Sequence, residues 1–273
     1  MSAPASTVSV PRLEQPGRLS QARVALSEWT KLHSLRSTRW SLFAATVLTI
    51  GLPLLFATVL ATRAHPLQEH HHSALEVALA GVNVSQLAIA VLGVLLITGE
   101  YSTGMIRATF TAVPMRLPVL WAKLAVYAVV SFLLMLPCVL IAFFASQAIL
   151  AHKDLLQMSF SDHGVARAVV GGAVYLMLIG LFALALGAIV RNTAGGIATF
   201  AAIFFVVPPL LNVLPASWND AISPWLPESA ARSIFQLTHD AQSLAPGPGL
   251  ALFCGYTALA IVIAAVLLVR RDT

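Results

Sequence analysis

Charge is what this sequence has least of. Asp, Glu, Lys and Arg make up 10% of its 273 residues, while 58% are hydrophobic; soluble domains carry about 25% charge. A chain so poor in charge cannot cover a water-facing surface, and it reads as an integral membrane protein. Cysteine is almost missing too. Cys138 and Cys254 both fall inside apolar runs, as core residues rather than a disulfide, and no metal-ligand spacing accompanies them. No Gly-x-x-x-x-Gly-Lys-[Ser/Thr] stretch occurs, so the chain lacks a phosphate cradle of its own. No Gly-x-Ser-x-Gly elbow occurs either, and His152 and His163 near one boundary make no catalytic pair. Residues 1–18 have no apolar core, so no cleavable signal peptide is expected there.

What is present is long hydrophobic runs. Six are long enough to cross about 30 Å of hydrocarbon at 1.5 Å per helical residue: roughly 40–62, 77–98, 119–150, 168–190, 194–214 and 249–269. The third is over-long and holds Pro137, which predicts a kink or an unwound end. Only Arg191-Asn192-Thr193 separates the fourth from the fifth, which predicts a tight helical hairpin. No Asp, Glu, Lys or Arg lies near the middle of any run. Proton- and sodium-coupled carriers need such groups at the midplane, so that class is disfavoured, and an apolar or amphipathic cargo suits the spans better. Their few polar groups include Asn83 and Gln86, three apart on one face, placed to line a path for substrate or to tie helices together.

Cations set the orientation. With the N-terminus inside, the outer side receives Arg63, Lys153, Arg167 and Arg232, and the other twelve of the 16 lysines and arginines fall inside. Both termini are then cytoplasmic. The net charge of +5 sits at membrane boundaries, which speaks for topology control and against nucleic acid as a partner.

Residues 1–18, rich in Ser, Pro and Ala, are expected to be a disordered cytoplasmic tail ahead of a single transmembrane domain over 19–273. In residues 19–37, Ala22, Ala25, Leu26, Trp29 and Leu32 recur at helical spacing opposite Ser20, Arg23, Ser27, Lys31 and Ser34. That predicts an amphipathic helix lying in the membrane interface. The outer loop 63–76 holds His65 and His70-His71-His72, read as a solvated loop rather than a metal site because no carboxylate or cysteine frames them. The last outer segment, 215–248, has Trp218 and Trp225 suited to headgroup level. A helix is expected there from Glu228 to Leu237, half-inserted in the outer leaflet as a re-entrant element.

The most distinctive stretch runs from Gly93 to Lys123. Polar residues and turn chemistry at Ser102-Thr103-Gly104 and Pro114 interrupt two apolar runs, so this elbow must lie outside the hydrocarbon. From Thr103 to Val113 it predicts a short helix, with Ser102 or Thr103 as N-cap and Pro114 as stop. Met105, Ile106, Thr109, Phe110 and Val113 gather on one side and Arg107 on another. Glu100 stands where the second run leaves the membrane, within reach of Arg107, Arg116 or Lys123 for charge-assisted hydrogen bonds. Gly104 supplies the tight turn.

Three stretches resemble the permease subunit of type-2 ABC exporters. EWTKLHSLRSTRWSL, residues 28–42, looks like an opening common in actinobacterial members; GEYSTGMIRATFTAVPMRLPVLWAK, residues 99–123, looks like the coupling loop; LGAIVRNTAGGIA, residues 186–198, looks like the hairpin between spans four and five. The resemblance implies an all-α fold in a bacterial plasma membrane. Its parts are six transmembrane helices, an N-terminal cytoplasmic interfacial helix, a cytoplasmic coupling helix and a re-entrant outer segment before the last span. It also implies a second permease subunit, identical or related, and surrounding lipid. A separate cytoplasmic ABC ATPase would bind ATP and Mg and dock on Glu100, Tyr101, Ser102, Thr103, Gly104, Met105, Ile106, Arg107 and Phe110. The chain itself would bind no cofactor and catalyse nothing. The cargo would be a drug, antibiotic, peptide or lipid-like compound. A sensor or immunity subunit on the same scaffold is the alternative, and a membrane enzyme is the least supported class.

Overall fold

The structure is a computed structural model that describes residues 21–34, 36–62, 71–104, 116–152, 157–211, 213, 215–237 and 244–270. Among these residues there is no strand, and six helices are long and apolar enough to cross a membrane. Helix α1 spans Gln21–Ser34, α2 Arg36–Thr62, α3 His71–Ser102, α4 Arg116–Ala151 and α5 Val165–Val190. The next span is composite: α6 at Thr193–Ala201, a π-helical stretch at Ala202–Val206 and α7 at Val207–Leu211. Three short elements follow, α8 at Ala216–Ile222, a 3-10 turn at Ser223–Trp225 and α9 at Pro227–Arg232. Helix α10, Pro246–Arg270, ends the described chain.

Helices α3 and α5 form the buried centre, with α2, α4 and α10 packed around them. With lipid as apolar as leucine, close backbone approach drives such packing, and small residues permit it. A Cβ added at Gly93 of α3 would stand 2.4 Å from the Gly180 carbonyl oxygen of α5, so neither backbone can retreat from a side chain there. Beside this crossing the Tyr127 hydroxyl of α4 donates to the Ile89 carbonyl of α3 at 2.8 Å. The outward faces of α2, α4 and α10 carry exposed Phe, Leu, Ile and Val, as spans facing lipid should.

Several local expectations are met and others corrected. The hairpin at 191–193 is as tight as its sequence: Arg191 takes a left-handed conformation and donates its backbone N–H to Gly187, and the Asn192 side chain accepts from the Gly195 N–H at 2.8 Å. Helix α4 runs unbroken through Pro137, so no end unwinds; its extra length is helix. The fifth span carries an irregularity of its own. Pro208 and Pro209 have no N–H for the preceding turn, and the ladder there relaxes to an i−5 bond from Val207 to Ala202. The helix expected at Glu228–Leu237 stops at Arg232. Its apolar residues Ala230, Ala231, Ile234 and Phe235 are buried in the protein's own core. Ile234 sits on Gly171, Phe235 meets Tyr175 edge-on at 5.0 Å, and Ser233 packs on Gly249. Residues 1–18, the loop histidines His65 and His70, and residues 105–115 lie outside the described residues.

Candidate functional site

A closed ring of four charges stands where α3 ends and α4 begins. Its members come from three helices: Glu28 and Lys31 from α1, Glu100 from the last turn of α3, and Lys123 from the second turn of α4. Lys31 Nζ donates to Glu28 Oε1 at 2.7 Å and to Glu100 Oε1 at 2.9 Å. Lys123 Nζ donates to Glu28 Oε2 and, at 3.0 Å, to the same Glu100 Oε1. Signs alternate around the ring and two carboxylates balance two ammoniums. Glu28 is 1% exposed, Lys123 2% and Glu100 6%. Taking each such ion out of water costs several kcal/mol, which only close geometry and shared hydrogen bonds offset. Burial works against the charge of Lys31, but the carboxylates of Glu28 and Glu100 outweigh it and hold the ammonium above the ordinary lysine range.

The helical period explains why α1 can deliver two of the four. Glu28, Lys31 and Leu32 fall at i, i+3 and i+4, so they share the face turned to the protein, and Leu32 is buried beside the charges. Leu26 and Trp29 point outward, 65% and 44% exposed. Glu28 and Lys31 thus turn toward the protein while Leu26 and Trp29 turn away from it, the reverse of a soluble helix. Leu32, expected on the Leu26–Trp29 side, belongs to the inward face.

The elbow's first residues complete the end of α3. Ser102 and Thr103 donate their hydroxyls back to Gly99 O at 3.0 and 2.8 Å; the helix they were expected to cap lies outside the described residues from 105 onward. Gly104, at φ 69, takes the left-handed conformation that ends a helix, and its N–H reaches Tyr101 O at 3.3 Å. The Arg191 guanidinium lies over the Tyr101 ring, 5.2 Å from its centroid, and donates to Leu267 O of α10 at 3.3 Å. Thr193 donates to Thr98 at 2.8 Å. The ring, the 191–193 hairpin and the end of α10 therefore share one end of the bundle.

Glu100 and Lys123 are thus brought together, as one of the expected pairings had it. The other expected partners, Arg107 and the side chain of Arg116, lie outside the described residues, as do Met105, Ile106 and Phe110. Asn83 and Gln86 stand apart from the ring in α3. Gln86 is fully buried, accepts from the Tyr175 hydroxyl of α5 and donates to Asn83 O at 2.8 Å, so it ties two helices together. Asn83 Oδ1 is buried with no donor among the described residues. At the opposite end Arg232 and Glu228 pair at 2.6 Å; burial pushes the Glu228 carboxyl up against the pull of Arg232. Glu28 and Lys31 are the ring members to which the sequence reading gave no site role, and Glu28 was not named on either face of the helix. The signal for Glu28 was available: it is the single carboxylate in the otherwise basic stretch 19–37.

These features describe an all-helical, multi-pass membrane protein in which a buried charge ring joins three helices at one end. In comparisons with known proteins, no family model matches the chain and no curated protein matches it.

Proposed function

We propose that this chain is the permease subunit of an ATP-driven exporter of the type-2 ABC class, moving an apolar or amphipathic compound. The observation that carries the reading is the ring of Glu28, Lys31, Glu100 and Lys123. It bolts α1 to the two spans that the 105–115 elbow connects. A force applied to that elbow would then move α1, α3 and α4 as one body, the packed element that mechanical coupling requires. In this reading the ring end is cytoplasmic, α1 lies in the interface with Leu26 and Trp29 in lipid, and the elbow is a coupling helix. Met105, Ile106 and Phe110 enter a groove on a separate ATPase, which binds ATP and Mg. A second permease subunit completes the path. The segment from Ala216 to Phe235 forms the outer closure before the last span, with Trp218 and Trp225 exposed at headgroup level.

Co-expression with a cytoplasmic ABC ATPase from the same genome, followed by reconstitution, tests the proposal. Co-purification, together with ATP hydrolysis that rises with a cargo that crosses the membrane, supports it. Hydrolysis that responds to a compound that never crosses would mark a sensor subunit instead. Failure of the two proteins to associate would sink it.

A further inference from the structure

The first two turns of α2 carry a feature separate from the charge ring. Arg36, Arg39, Trp40 and Phe43 fall at i, i+3, i+4 and i+7 and so share one face. They line an open cavity of about 530 Å³. Trp40 is 71% exposed and Phe43 59%, and the rings meet edge-on with centroids 5.9 Å apart. Both arginines are exposed, and neither pairs with a carboxylate among the described residues. One turn further into the span, exposed Val47 continues the same stripe. Cations, then rings, then aliphatic surface is the order of polarity met on descending from headgroup to acyl chain.

We propose that this face of α2 seats one anionic phospholipid, its phosphate between Arg36 and Arg39, its glycerol region over Trp40 and Phe43, and an acyl chain along Val47. Charge complementarity selects the occupant. A second copy of the chain is a poor candidate, because Glu28 and Glu100, the described carboxylates at this end, are already consumed in the ring. A zwitterionic lipid brings the same phosphate with a fixed quaternary ammonium beside it, which cancels its charge and repels the two guanidiniums. A free phosphate would use the arginines and ignore the rings. The inference does not depend on the permease reading.

Native mass spectrometry of the purified full-length protein, with phosphatidylglycerol, phosphatidylcholine or inorganic phosphate added, tests it. One phosphatidylglycerol is expected to be retained in preference to phosphatidylcholine. Arg36→Gln with Arg39→Gln should weaken that retention about thirtyfold, the loss expected for two interfacial cations. Trp40→Ala with Phe43→Ala should weaken it as well, whereas Arg36→Lys with Arg39→Lys should keep most of it. Equal retention of the two lipids, or retention indifferent to the glutamine pair, overturns the proposal. So does inorganic phosphate that displaces the lipid while Trp40→Ala with Phe43→Ala has no effect. Should the glutamine pair not fold, the wild-type protein decides: a preference for phosphatidylglycerol that does not fall with added salt overturns it.

Discussion

Glu28 and Lys123 are 95 residues apart in the chain and bonded to each other in the fold. Their contact closes the charge ring, and it fastens the helix ahead of the first span to the start of the third. Lys123→Met leaves two buried carboxylates sharing Lys31 and should cost about 3–5 kcal/mol. A fall in melting temperature in detergent would read it. Glu28→Gln with Lys123→Met leaves one carboxylate and one ammonium and should recover much of that loss; a double variant as unstable as the sum of its parts would deny the pairing. Glu228→Gln, at a pair whose arginine is partly exposed, should change stability by no more than about 1 kcal/mol.

Lys31 gives the ring a defined pH response. Its folded value is raised above the ordinary 10.5, so its contribution is fully present below 10.5 and is lost only as pH climbs through the raised value. Protease protection of residues 21–34 should be constant across neutral and mildly alkaline pH and fail above 10.5. Release of α1 near neutrality would contradict this.

Phe110→Asp tests the docking proposal directly. A charge on an interface anchor should cut co-purification with the ATPase at least tenfold, as anchors carry roughly 2 kcal/mol or more. The melting temperature of the isolated chain should not move. Undiminished binding and transport would remove Phe110 from the interface.

Gly93→Ala should separate α3 from α5. The added methyl would lie 2.4 Å from a backbone oxygen, and the expected loss is about 1–3 kcal/mol or misfolding. Gly255→Ala in α10 meets nothing within 4 Å and should be neutral or slightly stabilising. Melting curves of the two variants, compared side by side, check the prediction; equal behaviour would mean the crossing is looser than described.

Orientation is testable with single cysteines in a background of Cys138→Ser and Cys254→Ser. An impermeant maleimide should reach His71→Cys from outside and Arg107→Cys only from inside. The reverse pattern would invert the topology and place the elbow beyond reach of any cytoplasmic ATPase.

How much of this was legible beforehand depends on the range of the interaction concerned. Six long apolar runs and the Arg191–Thr193 hairpin are local features, written in hydropathy and cap chemistry, and they appear in the fold where the sequence placed them. Glu100 at a span end beside cations was equally local. The membrane class, the number of candidate spans and the position of the elbow were therefore readable from residue order alone, because burial in hydrocarbon penalises every polar residue of a run independently of the fold. Which charges pair depends on how the helices pack, and that is seen in the fold alone. Glu28 looks like one more solvated residue on an amphipathic helix until α1 is seen lying charge-side inward on α4. The apolar residues in and just beyond α9 make the same point: periodicity marks an apolar face but not what covers it, and here Ile234 packs on Gly171 and Ser233 on Gly249.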